Sequence, residues 1–415
     1  MRVSHLFTKT SKEAPADEVA KNAQLLIRAG FIHKEMAGVY TYLPLGKRVL
    51  EKITQIIREE MDGVGGNEIS LTALQASDVW QQSGRWDDQV MDVWFKTKLA
   101  NGSELGLAPT HEEPLTKLMK SFIKSYKDLP VYPYQFQIKF RNELRSKSGL
   151  MRGREFWMKD LYSFSRTQAE HDTFYEKISH AYDRVFERLG LGGQTYKTFA
   201  SGGSFAKFSH EFQTISPVGE DTIYVHKDKK IAINEEVYSD EVLAELGLNK
   251  DELVQELAVE VGNIFTLGTR FSDPLELSFT DEDGESKPVI MGSYGIGPSR
   301  LMGLIAEHFA DEKGLVWPEN VAPYRVYLVR IGDSEAVTAK ADQLYERLTQ
   351  QGIEVLYDDR DERPGAKFAD AELLGIPHRV TVSERLVEEG TYEYQARIHG
   401  EVKLLTAEEL LGTLG

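Results

Sequence analysis

The clearest periodicity in the chain lies between Gln135 and Phe164. Phe136, Ile138 and Phe140 alternate with Gln135, Gln137, Lys139 and Arg141, which predicts a half-buried strand with Arg141 and Glu143 on its polar face. Arg154 to Phe164 reads as the antiparallel return and places Phe156, Met158, Asp160 and Tyr162 on one face. Elsewhere the spacing is helical: residues 16–31, then Val49, Leu50, Ile53, Ile56, Ile57 and Met61 ahead of the glycines at 63–66. Further helices are expected from near Pro114 and over Gln168–Leu189. Glu68–Leu74, Leu105–Pro109 and His210–Ile215 read as extended, and Gly202–Phe205 as a loop. Residues 219–257 read as a small insertion, with a charged run at Lys227–Lys230 and a helical segment within Ser239–Leu257. Strands are expected over Gly262–Ser272, Leu275–Phe279 and Val289–Tyr294. Beyond Pro323, strands at Tyr324–Ile331, Ile353–Asp358 and Arg379–Val382 alternate with helices at Ser334–Gln351 and Ala366–Leu374. That alternation predicts a small α/β domain with a mixed sheet.

Composition narrows this picture. A chain of 415 residues exceeds one core and predicts two or three domains. No apolar run approaches the roughly 20 residues that span a bilayer, and the acidic start (Glu13, Asp17, Glu18) lacks a signal-like core, so a cytoplasmic location is expected. With no cysteine there are no disulfides and no thiolate zinc sites. The net charge of −17 argues against a general nucleic-acid binder, DNA included, and leaves room for a specific RNA docked through local patches. Against that background Lys139–Lys159 carries seven basic residues opposed only by Glu143 and Glu155, which points to a polyanion such as a nucleoside triphosphate.

Four groups of residues carry candidate chemistry. Arg141 on a rigid strand can bind a phosphate and a carbonyl oxygen through its planar fork; Glu143 can accept from an adenine amino group, and Phe156 can stack on a purine. From Gly292 a strand runs into a glycine turn, Pro298 opens a helix and Arg300 sits in its first turn, which makes an anion site. This is neither the dinucleotide fingerprint, whose third glycine is replaced by Arg300, nor a P-loop. Thr110 and Glu112, at i and i+2 of an extended segment, form an acceptor pair for a small cation such as an amino group. The sequence around His111 has no second histidine at zinc-helix spacing. In Ser209-His210-Glu211-Phe212 an imidazole and a carboxylate are available for a pocket or for Mg²⁺, although His210 alone reads more readily as structural.

Taken in order, these motifs resemble the class II aminoacyl-tRNA synthetases, and specifically the prolyl-tRNA synthetases of bacterial type. Phe140-Arg141-Asn142-Glu143 with Met151-Arg152-Gly153-Arg154-Glu155-Phe156 matches motif 2, and Gly292–Arg300 matches motif 3. Pro109–Glu113, Ser209–Phe212 and the run from Asp358 to Gly365 are also similar to family elements. The resemblance implies an α/β (α+β) fold, with a class II antiparallel sheet flanked by helices and a C-terminal α/β anticodon-binding domain with a mixed sheet. Residues 1–218 and 258–321 would form the catalytic domain, 219–257 a short remnant in place of an editing domain, and 322–415 the anticodon-binding domain.

Carried over by position, Arg141 holds the α-phosphate and the substrate carboxylate, and Glu143 and Phe156 hold adenine. Arg152 and Arg300 grip the β- and γ-phosphates, and Gln213 belongs to the ATP site. Thr110 and Glu112 bind the imino group of proline, His210 and Phe212 lie near its ring, and Glu211 meets Mg²⁺. Arg360, Arg363 and Lys367 are the expected anticodon contacts. The implied reaction is ATP-dependent activation of proline and its transfer to proline tRNA by a homodimer, with Mg²⁺ and without zinc. Two departures stand out: Thr72 occupies the place of a motif 1 proline, and the large editing domain is missing, so alanine activation without hydrolysis of alanyl-tRNA is expected. Threonyl, seryl and glycyl enzymes share the scaffold. A synthetase-like accessory protein without catalysis is the alternative from another class.

Overall fold

A computed structural model describes residues 1–144, 146, 148–202, 208–398 and 400–415. Arg145 and Lys147 of the basic hairpin, and Gly203–Phe205 of the expected loop, therefore lie outside the described residues. The chain divides into two compact units: Met1–Ile53, Lys147–Leu150 and Met302–Gly415 form one, and Thr54–Ser146 with Met151–Leu301 the other.

The described residues of the second unit build a nine-stranded sheet. Its spatial order is Phe208–Ile215, Thr195–Ser201, Ile231–Asn234, Asp221–His226, Val254–Gly268, Ile290–Ile296, Glu155–Ser165, Pro133–Phe140 and Asn67–Glu68. Pairing is antiparallel except at Ile231–Asn234 against Thr195–Ser201 and at Asn67–Glu68 against Pro133–Phe140. Phe208–Ile215 pairs additionally with Val254–Gly268, and between Phe212 and Gln213 that register slips, so Phe212 opposes Gly262 but Gln213 opposes Glu260. Val261 is thus the extra residue of a β-bulge.

Helix Gln168–Arg188 covers one face of this sheet. Thr167 caps it, accepting from the Glu170 amide, and Gly190 at φ 80° follows its end. Phe174 meets Tyr294 edge to face at 5.5 Å, and Tyr182 meets Phe212 at 5.1 Å. Each such buried ring contributes about 1.5–3 kcal/mol relative to exposure.

Several expectations need correction. The polar face of Pro133–Phe140 points inward, since Gln135 and Lys139 are buried while Phe136 and Ile138 are half-exposed. The reason is internal compensation: Lys139 pairs with Asp160 at 2.8 Å, and Gln135 donates to the same carboxylate at 3.0 Å. The strand expected over Glu68–Leu74 ends at Glu68. Beyond it Leu71 is held by side chains, its amide donating to Gln135 Oε1 and its carbonyl accepting from Gln137 Nε2. The first helix covers only Lys21–Arg28, because the residues before Ala20 are tied by Glu18, which accepts from the Ala20 amide. Within 219–257 the helix is confined to Asp240–Leu246, closed by Gly247 at φ 63°. Asp221–His226 and Ile231–Asn234 join the main sheet, and Val254 already begins the strand expected only from Gly262. That strand stops at Gly268 (φ 57°), and after it only Ser278–Thr280 is extended where Leu275–Phe279 was expected.

In the first unit the described residues form a five-stranded sheet in the order Val355–Asp358, Val326–Arg330, His378–Val382, Tyr392–Ala396, Lys403–Leu405. The first three strands are parallel and the last two antiparallel, so the sheet is mixed as the pattern predicts. Val326, Leu328, Val337, Leu344 and Leu348 form its core with helix Glu335–Gln350. Among the described residues no helix is long and apolar enough to cross a membrane.

Candidate active site

On the sheet face away from helix Gln168–Arg188, the register lines up Glu211, Asn263, Gly295, Asp160 and Gln135 as successive cross-strand partners. A second row, Phe265, Ser293 and Tyr162, runs beside it. Over the middle of these rows, from Asn263 to Asp160 and from Phe265 to Tyr162, opens a cavity of about 300 Å³, which Arg85, Thr110, Glu112, Arg141, Glu143 and Met158 also line. Gly295 keeps its floor open: a Cβ there would stand 2.9 Å from Asn263 Oδ1 and 3.2 Å from Met158 Cε.

The floor is a closed hydrogen-bond network. Asp160 Oδ2 accepts from Gln135 Nε2 and from Tyr162 OH, both at 3.0 Å. Lys139 Nζ meets Asp160 Oδ1 at 2.8 Å and His111 Nδ1 at 2.6 Å. Because the ammonium is the donor there, His111 Nε2 carries the proton and donates to the Thr72 carbonyl at 3.1 Å. Burial and the neighbouring ammonium push His111 down to about 4, so the ring is neutral. Burial alone would raise Asp160, but the charge of Lys139 and the hydrogen bond from Gln135 outweigh it and hold the group ionised. Gln135, Lys139, Asp160, Tyr162 and His111 are all buried and tied to one another, which is what makes such a network rigid.

Thr110 and Glu112 are brought together as expected, with one difference. Glu112 begins helix Glu112–Met119, with Pro114 its third residue, rather than continuing an extended segment. Thr110 Oγ1 donates to Glu112 Oε2 at 2.6 Å, and Arg85 Nη1 approaches the same oxygen at 3.3 Å.

Arg141 emerges from the end of its strand with Nε donating to the Pro109 carbonyl at 3.2 Å. Its guanidinium lies 5.3 Å from the Phe156 ring centroid, uniting two of the expected ATP residues. Burial and the charge of Arg300 lower its pKa, the sign of cations concentrated where an anion would bind. Arg300 donates from Nε to the Met151 carbonyl at 2.9 Å and from Nη1 to the Glu260 carbonyl at 2.6 Å. Arg152 is half-exposed, 3.3 Å from Glu143 and 2.7 Å from Glu220.

Glu211 accepts from Gln213 Nε2 at 2.8 Å and Asn234 Nδ2 at 3.2 Å, while burial and the charge of Glu260 push it up to about 7. Gln213 also donates to Asp221 at 2.8 Å. A carboxyl pushed up in this way by burial and a second carboxylate nearby fits Mg²⁺ shared with phosphate oxygens, which takes only one or two protein carboxylates. No group of three or more His, Cys, Asp or Glu side chains able to hold a metal occurs among the described residues.

His210 and Phe212 do not reach the cavity. His210 Nδ1 meets Tyr175 OH of helix Gln168–Arg188 at 2.8 Å, and Phe212 packs on Tyr182 and Phe186. Both point to the helix-covered face because strand neighbours alternate, and Glu211 takes the other side. Burial, then the charge of Lys197, pushes His210 down to about 3, as suits a neutral packed ring.

Two of the three expected anticodon residues are committed to the fold. Arg360 contacts Asp358 and Asp370, each at 2.7 Å, and Lys367 is buried, donating to the Arg330 carbonyl at 2.7 Å and the Asp358 carbonyl at 3.3 Å. Arg363 is exposed at the start of helix Pro364–Leu374. Sequence reasoning gave no role to Arg85, Asn263 or Glu260. Arg85 stands in an irregular stretch without periodicity, and the bulge at Val261 hides the common face of Glu260 and Asn263, whose Nδ2 and Oε1 are 2.8 Å apart.

The family described as tRNA synthetase class II core domain (G, H, P, S and T) matches residues 95–309, and the one described as anticodon binding domain matches 325–415. Among curated relatives, a proline–tRNA ligase of Maricaulis maris is 38% identical over 441 aligned positions, covering 100% of this chain and 98% of its own. That of Hyphomonas neptunium is 40% identical over 440 positions, covering 100% and 99%. A third, from Geobacillus sp., is 35% identical over a longer alignment of 564 positions, covering 100% and 99%. The fold is similar to crystal structures of the Cryptosporidium parvum prolyl-tRNA synthetase. The complex with L-proline and AMP gives a TM-score of 0.76 at 19% identity, over 94% of this chain and 73% of that one. The complex with halofuginone and AMPPNP gives 0.79 at 19% identity, over 97% and 78%.

Proposed function

The chain belongs to the proline–tRNA ligase family of class II aminoacyl-tRNA synthetases, and from that premise we propose that it activates proline with ATP and transfers the prolyl group to the 3′-terminal ribose of proline tRNA. One observation carries the reading: a single cavity holds both an acceptor pair for an ammonium, Thr110 and Glu112, and a half-buried guanidinium, Arg141. An amino acid bound by its nitrogen at the first would bring its carboxylate to the second.

In the first step a carboxylate oxygen of proline attacks the α-phosphorus of ATP, and pyrophosphate leaves. Arg141 faces the carboxylate and the α-phosphate, and Phe156 and Glu143 take the adenine. Arg152 and Arg300 take the β- and γ-phosphates, with Gln213 bordering the site. Glu211, with Glu260, would hold Mg²⁺, which compensates triphosphate charge when bound. No side-chain nucleophile is needed, since catalysis by alignment and charge compensation suffices. In the second step the terminal ribose hydroxyl attacks the activated carbonyl and AMP departs.

The catalytic domain is taken as residues 1–218 and 258–321 and the tRNA-reading domain as 322–415. Arg363 is retained as the anticodon contact. The enzyme is placed in the cytoplasm as a homodimer; sedimentation that returns only a monomer overturns the dimer. A proline pocket discriminates against a missing methylene by only about 1–3 kcal/mol, so alanine is activated too. Residues 219–257 supply two strands of the main sheet and a short helix, and this chain is proposed not to hydrolyse alanyl-tRNA. Release of alanine from preformed alanyl-tRNA of proline identity would refute that. The decisive experiment is proline-dependent ATP–pyrophosphate exchange, and its absence sinks the enzymatic reading. The accessory-protein alternative loses ground because both arginines of the activation site are present.

A further inference from the structure

Behind the acceptor pair sits charge that the reaction does not use directly. Glu113 is fully buried and follows Glu112 in the first helical turn. The two carboxylates share one guanidinium: Arg85 Nη1 lies 3.3 Å from Glu112 Oε2 and 3.2 Å from each oxygen of Glu113. Ser83 Oγ donates to Glu113 Oε1 at 2.7 Å. Arg85 itself is immobilised between Trp80 and Phe271, whose ring centroids are 5.2 and 5.3 Å away, and its carbonyl accepts from Trp94 Nε1 at 2.9 Å. The bonds from Thr110 and Arg85 both fall on Glu112 Oε2, which leaves Oε1 to a ligand. Burial pushes the Glu113 carboxyl up to about 7 against the pull of Arg85, so above that pH the pair of carboxylates beside one guanidinium leaves a single negative charge, the complement of one ammonium.

We infer that Arg85 and Glu113 are positioning residues that set the orientation and net charge of Glu112, and through it the selection of the substrate's secondary ammonium. The inference rests on the reading of Thr110 and Glu112 as the ammonium-binding pair. Without the Glu113 charge, Arg85 is spent on Glu112 alone, the group becomes neutral, and an entering ammonium faces a guanidinium that nothing outweighs. Removing Arg85 together with the Glu113 charge restores the single negative charge.

Pyrophosphate exchange by the full chain, with proline and ATP varied separately, tests this on wild type, Glu113→Gln and the double variant Arg85→Gln/Glu113→Gln. Glu113→Gln is expected to raise KM for proline roughly tenfold while KM for ATP and kcat stay within about twofold. The charge-balanced double variant is expected to bring KM for proline back toward wild type. A merely structural role gives the opposite: the double variant is worse than the single one, and both substrates suffer alike. If Glu113→Gln fails to fold, Ser83→Ala carries the test, with a selective rise of about two- to threefold in KM for proline from the lost hydrogen bond to Glu113; an unmoved KM overturns the inference. A wild type without proline-dependent exchange overturns the functional reading and this inference together. Normal wild-type exchange with an unmoved proline KM in Glu113→Gln overturns the inference alone.

Discussion

Arg141 and Arg360 look alike in the sequence: each stands in a motif that resembles a ligand-binding element, and each has carboxylates a few residues away. The fold treats them oppositely. Arg141 ends with a backbone carbonyl and an aromatic ring as its close partners, whereas Arg360 closes onto two carboxylates, Asp358 and Asp370. A guanidinium facing a carbonyl and a ring retains its charge for an incoming anion; one already paired has its charge cancelled and serves the fold. Availability for a ligand is therefore a tertiary property, decided by which acidic groups the chain brings within reach.

The contrast can be broken by substitution. Arg141→Ala is expected to lower exchange by roughly a thousandfold while leaving the melting temperature in place, because a charge aimed at the transition state is lost. Near-normal exchange would remove Arg141 from the reaction. Arg300→Ala should cost roughly a hundredfold in the same assay, since Arg141 remains; an effect confined to thermal stability would make it structural. Arg360→Ala should leave exchange unchanged but destabilise the chain by about 2 kcal/mol in a denaturant titration, less than for a fully buried pair because Arg360 is partly exposed. Loss of exchange in that variant would erase the distinction. A smaller effect is expected at Glu211. As pH rises through about 7 this carboxyl loses its proton and becomes able to hold a cation, so KM for Mg²⁺·ATP should fall over that range, and Glu211→Gln should flatten the profile. Smallest is Arg363→Ala, within about 0.5 kcal/mol of wild type in stability, with any change confined to KM for tRNA.

Much of the second unit was legible because its chemistry rides on period-two strands. The alternation from Gln135 to Arg141 and from Phe156 to Tyr162 identified the face that becomes the cavity, although not that this polar face is the buried one. Burial there depends on Asp160 matching Lys139 across the hairpin, a pairing that alternation within one strand cannot reveal. His210 and Glu211 were both assigned to the site, yet adjacent strand residues point to opposite faces, so the alternation itself allowed only one of them. Glu260 shows the converse case. It and Asn263 are an odd number of residues apart and would face opposite sides of a regular strand; the bulge at Val261 lets both side chains meet on one side of the sheet. Nothing in the local sequence marks that slip. Lys367 was misjudged for a simpler reason: its carbonyl partners come from two other elements, at Arg330 and Asp358.

The segment after Glu68 has a further consequence, for the order in which the molecule opens. Leu71 lies in irregular chain, where amide protons ordinarily exchange quickly with solvent, yet its N–H is bonded to the buried Gln135 carboxamide. That carboxamide is in turn fixed by Asp160. The Leu71 amide is therefore expected to exchange more slowly than an irregular stretch ordinarily allows, and its protection in hydrogen exchange is a reporter placed directly on the sheet's inward polar face.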